Sequence, residues 1–208
     1  MTYHGSVHVG GAPAVHELAW LIVTKLAVGP AATNCYLLRD RLTGEQLLVD
    51  AADDAPTLIR LVNGALAAVV TTHGHRDHWR ALAEVSAATG AVTMAGVHDL
   101  AAIEVPTAVP LRDGDEIRLG RSRLTALHLA GDAPADTPGA VALLYDDPKG
   151  HPHLFTGDCL AAGHPHGPAP AGLLTGPLAQ LPDETWVYPG HGDDSTLGAQ
   201  RAGLGSQA

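Results

Sequence analysis

The sequence predicts an α/β fold. Short apolar segments typical of strands mix with segments of helical character along two similar halves of the chain. One of these strands runs directly into a histidine-rich turn. With 208 residues and 46% hydrophobic composition, the chain is long enough to bury a sizeable core and too apolar to be disordered. Aromatic residues make up only 4%, so we expect Ala, Leu and Val to fill the core.

The individual elements follow from local patterns. Residues 1–17 lack periodicity and predict a loosely held arm, and residues 18–208 predict one domain. We predict strands at Leu21–Leu26, Cys35–Arg39, Gln46–Val49, Leu66–Thr71, Ala91–Met94, Ile117–Leu119, Leu124–His128, Ala140–Tyr145 and His153–Thr156. Helices are predicted at Ala55–Val62, from Trp79 onward and at Val97–Ile103, with Asp53 or Asp54 capping the first. Lys149-Gly150 indicates a hairpin turn between the last two strands.

The most informative segment is the turn that follows the strand Leu66–Thr71. It places His73, His75, Asp77 and His78 within six residues, just before a predicted helix. Imidazole and carboxylate are ligands of zinc, iron and manganese. A turn between a buried strand and a helix is a rigid place from which to aim such ligands at one point. The pattern therefore predicts a metal site.

This motif resembles the signature of the metallo-β-lactamase superfamily, and other segments agree with it in order. Asn34-Cys35-Tyr36-Leu37-Leu38 resembles the opening strands, Leu48-Val49-Asp50-Ala51-Ala52 the "(I/V)DAG" strand end, Leu154-Phe155-Thr156-Gly157-Asp158 the "LFTGD" segment and Val187-Tyr188-Pro189-Gly190-His191-Gly192 the "YPGHG" segment. The resemblance covers about residues 20–200 and is strongest to the glyoxalase II-like, or hydroxyacylglutathione hydrolase-like, branch. It implies an αββα sandwich and a single metallo-β-lactamase-like domain over residues 18–208.

The resemblance also implies two divalent metal ions, zinc in the first place and iron or manganese as alternatives. The first metal would be held by His73 and His75, the second by Asp77, His78 and His191, and Asp158 would bridge them. Asp77 would also orient or deprotonate the reacting water.

One ligand of the family pattern is missing. The usual "GHTPGS" segment supplies a third histidine to the first metal, and here Asp132 or Asp136 stands in its place, depending on the alignment. A carboxylate is an acceptable ligand that favours a harder cation. Alternatively neither Asp binds, and the first metal is weakly held or absent. His128 lies nearby, at a position that the family usually gives to a strand end.

Two further departures concern the substrate pocket. Residues 161–170, which include His164 and His166, are rich in Gly and Pro and lack the family's usual helix-forming insert. Only a short segment follows His191, so we expect no helical glutathione-binding domain of the glyoxalase II type. These departures predict an open site.

The resemblance implies a metal-dependent hydrolase of a small thioester, ester or lactone. Alternatives are a mono-iron sulfur dioxygenase-like enzyme, which uses two histidines and one aspartate, and a repurposed, non-hydrolytic member. A β-lactamase is disfavoured because those members usually lack the bridging aspartate.

Charge and composition limit the classes of partner that we expect. The net charge of −10 argues against nucleic acid, because phosphate neutralisation needs Lys and Arg. No apolar run reaches the roughly 18 residues of a membrane span, and no secretory signal pattern is present. We therefore expect a soluble, cytoplasmic protein with a small-molecule substrate, and a homodimer by analogy with relatives. The two cysteines, Cys35 and Cys159, give no disulfide framework and are expected to be small buried hydrophobes.

Overall fold

The computed structural model describes residues 3–129, 137–160 and 176–205, which form two β-sheets packed face to face. The first sheet contains β1 (Ala14–Glu17), β2 (Leu21–Val28), β3 (Thr33–Asp40), β4 (Gln46–Val49), β5 (Leu66–Thr71), β6 (Val92–Gly96) and β7 (Val109–Leu111). The second contains β8 (Glu116–Leu119), β9 (Ser122–His128), β10 (Val141–Asp146), β11 (Pro152–Gly157), β12 (Trp186–Pro189) and β13 (Ser195–Thr196). The helices are α1 (Ala55–Leu61), α2 (Leu82–Thr89) and α3 (Leu197–Gly205), and 3₁₀ turns lie at Arg76–His78, Asp158–Leu160 and Pro177–Gln180.

The strands of the first sheet lie side by side in chain order. Strands β1 to β4 are antiparallel, whereas β4, β5, β6 and β7 are parallel. A parallel pair needs a crossover, and α1 and α2 provide the first two of these. The carboxyl ends of β4 and β5 therefore meet at one edge of the sheet.

The second sheet has the order β13-β12-β11-β10-β9-β8. Strands β8 to β11 pair antiparallel, and β11 and β12 pair parallel. Residues that follow β11 and β12 consequently emerge at the same edge of this sheet.

Buried side chains divide into three layers that define an αββα sandwich. Between the sheets, the side chains of β2 to β5 pack against those of β8 to β12, and Leu38 and Leu124 are fully buried there. Helices α1 and α2 cover the outer face of the first sheet. The segments Asp158–Leu160 and Pro177–Gln180 and the start of α3 cover the second. Truncating Leu38 or Leu124 to alanine would lower the free energy of unfolding by about 2–5 kcal/mol. The predicted αββα sandwich is confirmed.

Most predicted strands match the observed ones to within about two residues at each end, which is the usual scatter of element boundaries. Asp54, rather than Asp53, caps α1, because its side chain accepts a hydrogen bond from the backbone N–H of Thr57. The Lys149-Gly150 turn joins β10 and β11 as predicted. Cys35 and Cys159 are both buried, and no disulfide joins them.

The helix predicted at Val97–Ile103 is wrong. Residues 97–102 form consecutive turns, in which the N–H of Asp99 donates to Gly96 and the N–H of Ala102 donates to Asp99. The Asp99 carboxylate instead accepts hydrogen bonds from the backbone N–H groups of Gly74 and Gly139, so tertiary contacts override the local helical preference. The helix predicted from Trp79 begins later, at Leu82, because a 3₁₀ turn at Arg76–His78 precedes it.

Part of the N-terminal arm is ordered against the sheet. Ala14–Glu17 form β1, which pairs antiparallel with β2, so this portion of the arm is a strand and not a loose segment. Tyr3 and Gly5 reach the second sheet's edge through hydrogen bonds described below. The division at residue 17 stays a prediction. No helix within the described ranges combines the length and apolarity needed to cross a bilayer.

Candidate metal centre

The predicted ligands lie where the two sheets meet at one edge of the sandwich. His73 to His78 follow β5 directly, Asp158 follows β11, and His191 follows β12. Backbone hydrogen bonds join the two sides: the N–H of Val141 donates to Thr72, and the N–H of Asn34 donates to Gly190. The strand ends therefore form one framework for side chains that are distant in sequence.

Asp158 stands between two groups of side chains. Its Oδ2 lies 3.3 Å from His73 Nε2 and 3.8 Å from His75 Nδ1. Its Oδ1 lies 3.1 Å from His78 Nε2 and 3.5 Å from His191 Nε2. One carboxylate therefore presents a separate oxygen atom to each of two imidazole pairs.

The second group also contains Asp77. Its Oδ2 lies 3.4 Å from His191 Nε2 and 3.9 Å from His78 Nε2. The possible ligand atoms of His73, His75 and Asp158 all lie within 4.8 Å of one another, as do those of Asp77, His78 and His191. Each group is small enough to surround one ion.

Buried nitrogen atoms in these groups indicate whether the residues suit a cation. Within the described part of the chain, the buried Nε2 atoms of His73 and His78 form no hydrogen bond with the protein. The Asp158 side chain is only 5% exposed and faces both atoms. Buried polar atoms normally have partners, and each missing partner costs free energy. A divalent cation in each group would satisfy these atoms, so the side chains fit the metals that the resemblance implies.

Asp50 fixes the orientation of His78. Its Oδ2 accepts a hydrogen bond from His78 Nδ1 at 2.8 Å, and its Oδ1 accepts one from the backbone N–H of Thr72 at 2.8 Å. A carboxylate only accepts, so the proton lies on His78 Nδ1 and leaves Nε2 to face Asp158. Asp50 adopts a left-handed backbone conformation, with φ of 58°, which Asp tolerates better than most residues.

Further contacts hold the other ligands. His191 Nδ1 donates to the carbonyl of Ala31 at 3.1 Å, and Thr33 Oγ1 donates to Asp77 Oδ2 at 3.2 Å. The Trp79 indole N–H donates to the carbonyl of Gly74 at 2.9 Å. These bonds orient the ligands before any ion binds.

Glycine is required at position 190. A Cβ built there would overlap Asp158 Oδ1 and lie 2.7 Å from His78 Cε1. The backbone of the His191 loop thus passes directly over the carboxylate that faces both groups.

The clustered charges shift the ionisation of the ligands. Burial lowers the pKa of His73, and the neighbouring His78 lowers it further. Burial also disfavours the charged form of His78, but Asp50 and Asp158 outweigh it and raise the pKa of His78 to about 10. The hydrogen bond with His191 holds the pKa of Asp77 well below its usual range. His78 is therefore protonated at neutral pH without a metal, and metal binding would release that proton.

The structure brings together six of the eight predicted ligands, and their metal ligation stays a prediction. Asp132 and Asp136, the two candidates for the missing ligand, lie outside the described residues, as do His164 and His166. His128 is half-buried at the end of β9 and contacts the exposed ring of His98, at 5.1 Å between centroids. It does not belong to either ligand group.

The sequence did not identify the residues that orient the ligands. Asp50 carried a signal, since it ends an apolar strand within the "(I/V)DAG"-like segment, but its partner His78 follows only from the parallel pairing of β4 with β5. Asp99 carried none, because it lies in a stretch that resembles a helix.

Comparison with known families agrees with this geometry. A family model described as the metallo-β-lactamase superfamily matches residues 28–191. The chain therefore belongs to the metallo-β-lactamase superfamily.

Sequence relatives indicate a branch within the superfamily. The chain is 34% identical to hydroxyacylglutathione hydrolases of Fuscovulum blasticum and Polaromonas sp., over 75% and 82% of its length. It spans 61% and 66% of those proteins. It is 28% identical to an uncharacterized protein of Aquifex aeolicus, with 88% of this chain and 95% of that protein covered.

Two solved structures share the fold. TTHA1623, crystallised in a di-iron-bound form, superposes with a TM-score of 0.65 at 30% identity, covering 84% of this chain and 94% of that one. ETHE1 from Myxococcus xanthus superposes with a TM-score of 0.69 at 25% identity, covering 86% and 81%. Proteins with different names thus share this fold.

Proposed function

We propose that this protein is a metal-dependent hydrolase of a small thioester, ester or lactone. The observation that carries the proposal is the position of Asp158, whose two carboxylate oxygens face two separate histidine groups. A carboxylate so placed suits a pair of ions, for which zinc is the first candidate and iron or manganese are alternatives.

Bound metal ions would lower the pKa of a water molecule and polarise the substrate carbonyl. The protein's own residues would hold and orient the reactants. His73, His75 and Asp158 would hold one ion, and Asp77, His78 and His191 would hold the other. Asp77 is the most exposed carboxylate of the cluster, with 28% of its side chain accessible, and is fixed by Thr33. It is placed to accept a hydrogen bond from the reacting water and so to orient it.

The choice of substrate class is supported by the hydroxyacylglutathione hydrolase relatives. The chain spans no more than about two thirds of those relatives, so their glutathione thioester is itself part of the proposal and not a known substrate here. The net charge of −10 supports a small substrate over nucleic acid.

A second candidate is a mono-iron, sulfur dioxygenase-like enzyme. His73, His75 and Asp158 form a set of two histidines and one carboxylate, which is typical of non-haem iron oxygenases. The likeness to ETHE1 adds to this alternative. Elemental analysis of the purified protein separates the candidates: two zinc ions support the hydrolase, and one iron supports the alternative. An absence of bound metal would indicate a repurposed member.

A substrate panel tests the hydrolase directly. The zinc- or iron-loaded protein is assayed with small acyl thioesters, lactones, a chromogenic cephalosporin and a phosphodiester, and Asp77→Asn serves as the matched control. We expect turnover of thioesters or lactones that the variant loses. Turnover of the cephalosporin or phosphodiester alone would overturn the proposal. An inactive protein with both sites filled would favour the repurposed member.

A further inference from the structure

A buried lysine contacts the loop that follows the proposed ligand His191. Lys25, in the middle of β2, is completely inaccessible to solvent, and its Nζ lies 2.7 Å from Oδ1 of Asp194, which is equally buried. Burying two charges is costly and is offset only when every donor and acceptor finds a partner. The ammonium of Lys25 donates its other hydrogens to the carbonyls of Gly5, at 2.6 Å, and Gly192, at 2.8 Å.

These contacts reach the loop that carries His191. Gly192 follows His191 directly, so Lys25 holds the carbonyl on one side of the ligand. Asn34 holds both sides, because its backbone N–H donates to Gly190 at 2.7 Å and its side-chain amide donates to Gly192 at 2.9 Å. The backbone around His191 is consequently fixed by hydrogen bonds to its carbonyl groups.

We infer that Lys25 and Asp194 are positioning residues that hold His191 toward the second ion and thereby set the metal affinity of that site. His191 Nε2 is 3.4 Å from Asp77 and 3.5 Å from Asp158, so a small shift of Gly192 would separate the ligand atoms. Neither Lys25 nor Asp194 touches the ligand groups, and both act through the backbone. The inference rests on the proposed role of His191 as a ligand.

The test removes the charge pair without leaving one buried charge alone. The double variant Lys25→Met/Asp194→Asn is prepared as metal-free, full-length protein, and circular dichroism and thermal unfolding establish its fold. Zinc affinity is then measured by competition with a chromophoric chelator. We expect one of two zinc equivalents to weaken about tenfold or more, as for other residues that orient metal ligands, and the other to change by less than about twofold.

A double-mutant cycle separates positioning from general destabilisation. The same pair of substitutions is introduced together with His191→Ala. If Lys25 and Asp194 act through His191, they have no further effect on the zinc that remains in this background. Equal weakening with and without His191 would show a merely structural role and overturn the inference.

Two more variants complete the design. Tyr3→Phe removes the hydrogen bond of 2.5 Å that Tyr3 donates to Asp194 Oδ2, but no bond to the loop, so zinc affinity should stay within about twofold. If the double variant does not fold, Lys25→Arg replaces it, because a planar guanidinium cannot serve the same three acceptors. A folded Lys25→Arg protein that binds zinc like the original would also overturn the inference. If His191→Ala alone retains both zinc ions, the proposed metal site itself is wrong.

Discussion

Replacing Asp50 with asparagine should weaken metal binding at the second site while leaving the fold intact. In the structure, Asp50 Oδ2 faces the Nδ1–H of His78, and Oδ1 faces the backbone N–H of Thr72. Asparagine offers only one acceptor, so its amino group must face one of these two donors. The backbone N–H of Thr72 cannot change, whereas His78 can move its proton from Nδ1 to Nε2.

The proton then occupies the nitrogen that would bind the ion. His78 is completely buried, so water cannot restore the lost hydrogen bond. Loss of such an orienting partner typically lowers metal affinity about 10- to 100-fold, which equals about 1.4–2.7 kcal/mol. Asparagine also tolerates the left-handed backbone at this position, so the fold should be retained, but the metal-free protein should lose stability because buried His78 loses a charged partner.

Zinc titration of the metal-free variant against a chromophoric chelator measures the effect. Asp40→Asn is the matched control, since Asp40 is an equally buried carboxylate that accepts backbone N–H groups of Leu42, Thr43 and Arg121 at the opposite end of β3. It should lose stability and keep both zinc equivalents. Unchanged zinc affinity in Asp50→Asn, or equal losses in both variants, would refute the reasoning about the proton on His78.

Three more predictions concern the same framework. Gly190→Ala should yield folded protein that holds fewer zinc equivalents by elemental analysis, because the added Cβ overlaps Asp158 Oδ1; a full complement of zinc would contradict the close approach. Asp158→Asn should weaken the binding of both zinc equivalents, whereas His78→Ala should weaken chiefly one, since Asp158 faces both ligand groups. A chelator titration that shows the same loss in both variants would argue against bridging by Asp158. Burial lowers the pKa of His153 to about 4, so the unfolded chain takes up its proton first as the pH falls below about 6.5. In urea titrations, the free energy of unfolding of the original protein relative to His153→Gln should therefore drop by about 2 kcal/mol between pH 7 and pH 5, and this difference should stay nearly constant above pH 7.

Most strands and the ligand-bearing turns followed from sequence because their signals are local, whereas β1, β7, β12 and β13 were not among the predicted strands. Strand Leu66–Thr71 and the histidines after it lie within a dozen residues, so apolar patterning and ligand type were enough. Lys25 shows the limit, since its position in β2 is typical of a polar residue in an alternating strand. Its partners Gly192 and Asp194 come from the other end of the chain, and only the packed sheets bring them together. The helix predicted at Val97–Ile103 was wrong for a related reason, because Asp99 is held by backbone groups that are distant in sequence.

The order of the strands has a consequence for unfolding. The first sheet comes entirely from the chain before Arg112, and the second entirely from the chain after it. Each proposed ligand group takes side chains from both halves, so bound ions would tie together two segments that otherwise meet through their apolar faces and through hydrogen bonds such as those of Lys25 and Asn34. Metal that binds only the folded chain stabilises it in proportion to the logarithm of its concentration. The metal-loaded protein should therefore resist separation of its two halves, and a chelator would remove this stabilisation before it disturbs either sheet.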